Sequence, residues 1–551
     1  MILRRNATVS IPKMKILKSL LFLFPVAYLF SCASSGKAYD PAKKYSPQQL
    51  KEDYTILRNI LEHKHPSLYW YTGKDSMDMY FDNFYREIKD SMTEQQFGWK
   101  ILAPLTDKLH CGHTSFGMSK AYNNWAVNKR FPSFPLFMKF WNDTMVVTSN
   151  LNRNDSVLKR GTIIRSVNGM NSAALKNILF NYMTEDGDAN NVNYIRLSSN
   201  FPYYHRNIFG LSKTYSVGYL DSRGNEQLVT IPVFEQKKDS TKRPRPVEPV
   251  KKEKRESNKK RLQEMRSLAI DTLNNTAIIT LNTFSSGRLR KFYRQTFRYI
   301  RKAGISNVVL DLRSNGGGRI NLSTLLTRYV TRRNFKVADT AFAAAHSLGP
   351  YTKYVKNGFI NNLGLFFLTK KNEDGLFHFG HWERKTYKAK TTNHFSGSLY
   401  VLINGSTFSA STIFCNSVKG QPGITLLGEE AGGGWYGNNG ILIPDIVLPN
   451  THLRVRLPLF RLVQYNHVAK DGRGVVPDIY IGTDYNALLK GIDKKMMVVM
   501  QLITPRSTSG IRQLWCRPAG VIAPESVRNP AAFSSSERFI NSNAVRSCRP
   551  T

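Results

Sequence analysis

Between Ala277 and Arg319 the chain reads AIITLNTF, then GRLRKFYRQTFRYIRKAG, then NVVLDLRSNGGGR, and this succession constrains the fold more than any other feature. The outer segments carry continuous apolar runs, as strands buried on both faces do. The middle one sets apolar residues on one helical face and basic residues on the other, and it stops at Gly304. Strand, helix and strand in that order predict a right-handed crossover between two parallel strands. LYVLING (399–405) reads as the next strand. Ala410, Ile413, Phe414 and Val418 then mark the inner face of a helix that stops at Gly420. Residues 267–504 are therefore expected as one α/β unit.

The remainder of the 551 residues divides by composition. Lysines and arginines precede the apolar run ILKSLLFLFPVAYLF (16–30), too short for a comfortable membrane span, so residues 1–31 read as an export signal. Leu29-Phe30-Ser31-Cys32 resembles the bacterial lipobox, which implies lipidation of Cys32; a plain secretory signal is the alternative. After a polar tether (32–45), Ser46-Pro47-Gln48-Gln49 reads as an N-cap with a capping box. It opens a helical region (46–117) with further amphipathic segments at Met77–Met92 and near Phe97–Leu109. From 118 to 236 short β-rich segments dominate. PLFMKFW and TMVVTSN form a hairpin pattern, and SVLKRGTIIRSVNGMNSAALKNILF (156–180) follows. Its order of basic-Gly-x-x-Ile-x-x-Val-Asn-Gly and then a helix resembles the PDZ domain.

The formal net charge is +40, which raises the question of a polyanion partner. Residues 1–31 carry five basic side chains and no acid, residues 237–266 thirteen basic against five acidic, and the chain after Thr504 seven Arg against two Glu. Nearly half of the excess thus lies outside the expected folded units, with no zinc-finger, helix-turn-helix or stacking motif beside it. A solvated linker is the expected reading of this charge and no nucleic-acid partner is expected; attraction to an anionic membrane surface, and a polyanion binder resting on charge alone, are the alternatives. Residues 237–266, proline-broken and poor in aliphatics, are expected as a disordered basic linker with room for a helix at its end, and 505–551 as a poorly structured tail. The five cysteines, at 32, 111, 415, 516 and 548, show no C-x-x-C pairing, so no metal site is expected.

Two motifs carry chemistry. Ser409 falls just beyond a buried strand and at the start of a helix, where the amide of Ala410 faces a developing negative charge. Ser406, Thr407 and Ser411 are its competitors, each explicable as an N-cap. In DLRSNGGG (311–318), three glycines after a strand let backbone amides be bared toward a ligand, without the Lys-Ser/Thr of a P-loop. A serine hydroxyl needs a base to become nucleophilic.

D-x-x-H-x-G-H-T-S-F (107–116), the PDZ-like stretch, strand-DLRSNGGG, strand-NGSTFSAS-helix, LLGEEAGGG and GVVPD occur in the order found in peptidase family S41, the tail-specific or C-terminal processing proteases with their tricorn-core-like branch. The chain resembles that family over roughly residues 46–485. The resemblance implies an α+β multidomain protein: an N-terminal helical region, a PDZ-like β domain, and an α/β core with the spiral related to crotonase and ClpP. It implies Ser409 as nucleophile, with Gly317 or Gly318 and Ala410 as oxyanion hole. One branch takes its base from a lysine in G-x-x-T-x-G-K-G, but this chain has Gly428-Glu429-Glu430-Ala431-Gly432-Gly433-Gly434 there. The other branch uses histidine and a carboxylate, which implies His113 as base and Asp471, in Asp471-Gly472-Arg473-Gly474-Val475-Val476-Pro477, as its orienting acid. His110 is the rival base, and Glu429 or Glu430 the rival acid. The implied activity is serine endopeptidase chemistry on polypeptides held by their C-terminal segment, without cofactor, on an exported and lipid-anchored protein. A non-catalytic peptide-binding lipoprotein on the same scaffold is the alternative.

Overall fold

The computed structural model describes residues 38–235 and 253–504. The expected signal segment, Cys32, the tail after Thr504 and the linker as far as residue 252 lie outside the described residues.

Helix α1 (Pro47–Lys64) begins at the expected capping box, in which Ser46 and Gln49 each accept the other's backbone N–H at 3.3 and 3.0 Å. Leu50, Tyr54, Leu57 and Leu61 form its buried face. Helix α2 (Lys74–Arg86) ends six residues before the expected Met92. Met92–Thr93 instead pairs antiparallel with Lys44–Tyr45, and Thr93 caps the next helical turn with Gln96. Ordered pairing thus begins inside the stretch expected as tether. Residues 94–107 are helical with a π-helical insertion at Gly98–Leu102, and they deliver the chain to the loop that carries His113.

Strands β1 (Leu136–Trp141), β2 (Thr144–Asn150) and β3 (Ile163–Val167), helices α3 (Ser172–Phe180) and α4 (Asn191–Phe209), and strands β4 (Thr214–Leu220) and β5 (Glu226–Pro232) make an antiparallel sheet in chain order with two helices. The expected hairpin is β1 and β2. Phe134, Phe140, Phe201 and Tyr215 fill its own hydrophobic core, and mutual Ser133–Phe234 backbone bonds at 3.1 and 2.9 Å close its two ends.

Over the second half of 237–266 the expected disorder gives way to a helix, at the end of the stretch where one was allowed for. Residues 253–265 form helix α5 (Glu253–Met265), and Arg266 opens strand β6 (Arg266–Asp271). The stretch Glu253–Met265 contains no proline or glycine, so nothing in it breaks a helix, and the strand behind it pairs with β7 (Thr276–Leu281) from Arg266 onward.

The α/β unit continues with α6 (Leu289–Lys302), β8 (Asn307–Asp311), α7 (Ile320–Val330), α8 (Gly358–Leu368), β9 (Ser398–Ile403), α9 (Ala410–Val418), β10 (Ile424–Gly428), β11 (Ile479–Tyr480) and α10 (Lys494–Ile503). Its sheet runs β6-β7-β8-β9-β10-β11, antiparallel at the first pair and parallel thereafter. Each parallel strand is added at the same edge, so crossovers of one hand stack their helices on one face. There α6, α7 and α9 pack with Val308, Leu310, Val401 and Ile403, while Val309, Leu402 and Leu427 point the other way onto Val499 of α10. The strands are apolar on both faces because both are covered.

Among the contacts that join the helical region to this unit, two stand out. Phe116–Gly117 adds an edge strand to Arg454–Arg456 three residues after His113. Asp53, fully buried on α1, accepts the backbone N–H groups of Asn450 and Thr451, each at 2.8 Å, and the Thr451 hydroxyl at 2.6 Å. Asp53→Ala strands those donors away from water. It should lower the unfolding free energy by about 2–4 kcal/mol, as chemical denaturation would register; a loss under about 0.5 kcal/mol would mean that the two regions are not coupled through this carboxylate.

Candidate active site

β9 ends at Ile403, and five residues later the chain turns sharply into α9. The turn is bolted to the end of β8: Thr407 donates its hydroxyl to Leu312 O at 3.0 Å, and Phe408 N–H bonds to Asn315 O at 3.2 Å. Ser409 sits at its apex with φ 56° and ψ −119°. For a residue bearing a side chain this is a strained conformation, of order 1–3 kcal/mol, and such strain lifts a side chain clear of the backbone at a sharp strand-to-helix turn. The competing hydroxyls are otherwise placed. Among the described residues, Thr407 is committed to the backbone, Ser411 Oγ is buried with no partner, and no base bonds to either hydroxyl.

Ser409 Oγ lies 3.1 Å from His113 Nε2, across 296 residues of sequence. The imidazole is 3% exposed and packs on the Phe408 ring at 4.8 Å. Burial, with lesser repulsion from Arg456 and Arg196, pulls its pKa down to about 3, so it is neutral at physiological pH and able to accept a proton. His110 is not beside Ser409; its Nδ1 faces Gly187 O at 3.0 Å and Glu185 at 3.3 Å.

The acid beside His113 is not the expected one. Asp471 stands in an exposed turn where its Oδ1 accepts the Arg473 N–H, and no contact within 4 Å joins it to His113. Glu430 is taken by Arg473 and Gly474 N–H, and Glu429 by Lys495. The carboxylate present is Asp186, 2% exposed, with Oδ1 3.9 Å from His113 Nδ1. It accepts Gly112 N–H at 2.8 Å and Gly434 N–H at 3.3 Å, and burial pushes its pKa up to about 6 despite those bonds. The Asp471 turn has a supporting position, since Gly472 O accepts the Asp188 N–H at 2.9 Å. Asp186 belongs to Glu185-Asp186-Gly187-Asp188, three acids in four residues of a strongly basic chain; that cluster was its signal in the sequence.

Glycines shape the surroundings. At Gly317, φ 103°, a Cβ would fall 2.7 Å from Ser409 Cβ and 2.9 Å from Ala410 N, so only glycine leaves the Ala410 amide open. The Gly317 N–H itself is donated to Asn315 Oδ1 at 3.0 Å, which removes it from the expected pair of oxyanion donors and leaves Gly318. A Cβ on Gly440 would lie 3.3 Å from both His113 Nε2 and Ser409 Oγ, and 2.8 Å from Asn438 Oδ1. Asn438 is 1% exposed, and neither its amide oxygen nor its nitrogen has a partner among the described residues. A buried amide without protein partners next to a hydroxyl–imidazole pair can donate to and accept from a bound ligand. No pattern around Asn438 singled it out in the sequence. Cys111 is no alternative nucleophile: burial pushes its thiol up to about 11.

The Asp186 shift has a measurable consequence. Its folded pKa lies above the ordinary 3.8, so the folded state binds more protons between about pH 4 and 6 and loses stability as pH rises through that window. Asp186→Asn abolishes this loss. The stability of the variant minus that of the parent should move in the variant's favour by about 2–3 kcal/mol from pH 4 to pH 7, read from denaturant midpoints; a flat difference would deny the shift.

Residues 275–481 match the model of peptidase family S41. No curated protein matches the chain. Among solved structures, mature CPAF aligns with a TM-score of 0.56 at 13% identity, covering 83% of this chain and 98% of that one. The mature CPAF complex with lactacystin aligns with a TM-score of 0.55 at 13% identity, covering 83% and 99%. At such identity the likeness is one of fold. The strand that runs into the glycine turn, the strand that runs into Ser409 and the parallel sheet order all fall inside the span, residues 275–481, that is similar to peptidase family S41.

Proposed function

We propose that the protein is a serine endopeptidase that hydrolyses polypeptides through an acyl-enzyme, with Ser409 as nucleophile, His113 as general base and Asp186 as the acid that stabilises the imidazolium. The observation that carries this reading is the 3.1 Å approach of His113 Nε2 to Ser409 Oγ at a strained strand-to-helix turn, inside hydrogen-bond reach for proton transfer. With the imidazole proton on Nδ1, Nε2 accepts the Oγ proton as Oγ attacks the scissile carbonyl. The same proton then passes to the departing amine, and a water repeats the sequence on the ester. The carbonyl oxygen gains charge beside the Ala410 amide, which Gly317 leaves open, with Gly318 as the remaining expected donor; Asn438 supplies a further donor to the oxyanion or to the adjoining peptide. His113 Nδ1 has no hydrogen-bond partner among the described residues, and Asp186 stands 3.9 Å off. Charging the imidazole draws the two together, and such bonds tighten on substrate binding.

The five-stranded order β1 to β5 with α3 and α4, over residues 118–236, supports a PDZ-like module that takes a substrate's C-terminal segment as an added strand. The same-edge addition of β8 to β11 supports a crotonase-like spiral in the core. Export and lipidation at Cys32 complete the reading on sequence grounds.

A fluorophosphonate probe should label the protein, and Ser409→Ala should abolish both labelling and peptide cleavage, the latter by about three orders of magnitude or more. A chain that cleaves nothing and takes no label would be a peptide-binding protein instead. Because Asp186 must be ionised to hold the imidazolium, kcat/KM should fall as pH drops below about 6. Asp186→Asn should lose most activity along with that limb; a limb unchanged in the variant would remove Asp186 from the mechanism. Gly440→Ala, which sets a methyl against both reacting atoms, should cost about tenfold or more in kcat with little change in stability.

A further inference from the structure

Helix α8 (Gly358–Leu368) is inverted. Its buried residues are Gly358, Asn361 and Leu365, while Phe359, Ile360, Phe366 and Phe367 are 70, 66, 64 and 77% exposed and Leu363 is 42% exposed. At about 100° per residue these five side chains form one stripe about 120° wide, opposite the buried face. Scattered exposed leucines need no explanation, but five large apolar side chains in a stripe across two turns do. No charged residue lies within α8, so nothing on the stripe itself opposes burial.

The charges stand at its ends. Lys353 and Lys356 precede the helix and Lys370 and Lys371 follow it, all four exposed. Tyr351 and Tyr354 lie in the turn before it, half-exposed. At the far end a cleft of about 280 Å³ sets Arg384 and His381 beside Phe367 and Leu368. The nearby acids are Glu373 and Asp374, and Asp374 is already paired with His378. An apolar stripe bracketed by cations and tyrosines complements the acyl boundary and phosphates of an anionic lipid surface.

We propose that α8 seats the protein on an anionic membrane surface, lying in the headgroup plane with Phe359, Phe366 and Phe367 in the acyl boundary and Lys353, Lys356, Lys370 and Lys371 on lipid phosphates. Eleven residues extend about 16 Å, half of a bilayer core, so the helix lies on the membrane and does not cross it. This attachment is independent of any anchor at Cys32, and it would hold the peptidase unit close to the surface instead of at the end of a tether.

The test uses the full chain and vesicles of phosphatidylglycerol with phosphatidylethanolamine, against phosphatidylcholine alone, in a flotation assay. The N-terminal run is present in every variant, so differences report on α8. The parent should float with the anionic vesicles. Phe359→Asp with Phe366→Asp and Phe367→Asp should lower the vesicle partition by about tenfold or more, and the Lys→Gln change at all four lysines should lower it and flatten its salt dependence. Unchanged melting temperature and unchanged cleavage of a soluble peptide show that the variants fold. Phe366→Trp, placed in bilayers of brominated lipid, should add quenchable fluorescence over the parent. Equal flotation of parent and aspartate variant, or an added tryptophan that lipid does not quench, overturns the proposal. So does a parent dimer that the aspartate variant dissolves without any lipid effect, which would give the stripe to a second copy of the chain.

Discussion

The Asp186 carboxylate is the point on which the site closes. Its two oxygens accept N–H groups from Gly112 and Gly434, so the histidine loop, the end of the small antiparallel module and the glycine run of the α/β unit meet at one buried charge. A buried carboxylate is held by such bonds or not held at all, because each lone pair left without a donor costs free energy that water would otherwise supply. Gly112 can approach it only because it lacks a side chain: a Cβ there would fall 2.7 Å from the Phe408 ring and 3.2 Å from Asp186 Oδ1. The same carboxylate that positions the histidine loop therefore stands next to the imidazole, and structural and electrostatic duties fall on one group.

This arrangement sets a tension that the proposed chemistry would use. Burial raises Asp186 and depresses His113, which disfavours charge on both. Moving the Ser409 proton onto His113 makes the second charge of an ion pair beside the first, and in a dry site that attraction is strong. A neutral imidazole at rest and a stabilised imidazolium in the transition state are opposite demands. They are reconciled by distance: at 3.9 Å the two groups are near enough to attract once charged, yet not bonded before. The strain at Ser409 belongs to the same economy, since the packing of Thr407 and Phe408 against Leu312 and Asn315 holds a conformation that the residue alone would leave.

The sequence made some of this legible and not the rest, for physical reasons. Periodicity located α1, α6, α9 and the buried strands, because burial on both faces leaves continuous apolar runs and burial on one leaves a helical stripe. The motif around Ser409 and the Gly-His-Thr of the loop named two partners whose contact depends on long-range closure. Asp186 escaped because its duty comes from where α3 ends relative to the core, and no spacing in the chain encodes that distance. Asp471 was chosen from a family pattern; in the fold its turn supports Gly187 and Asp188 from behind. Asn438 is visible only as an orphaned amide in three dimensions. The second half of the expected linker is helical because a charge-rich stretch free of proline and glycine has good helix propensity, and composition alone counted its charges and not its continuity.

Along the chain, His113 precedes and Ser409 follows the module that contributes Asp186. Phe116–Gly117 can pair with Arg454–Arg456, and Gly112 can reach Asp186, only after the α/β unit and the module have both formed. Contacts of such sequence separation bear their loop-closure entropy before any bond rewards it. No fragment of the chain that lacks one of the three segments can hold the hydroxyl, the imidazole and the carboxylate together. Proton transfer at Ser409 is thus a property of the closed fold, and the hydrolytic chemistry proposed for it arises last in assembly, after the helical region, the module and the α/β unit are in place.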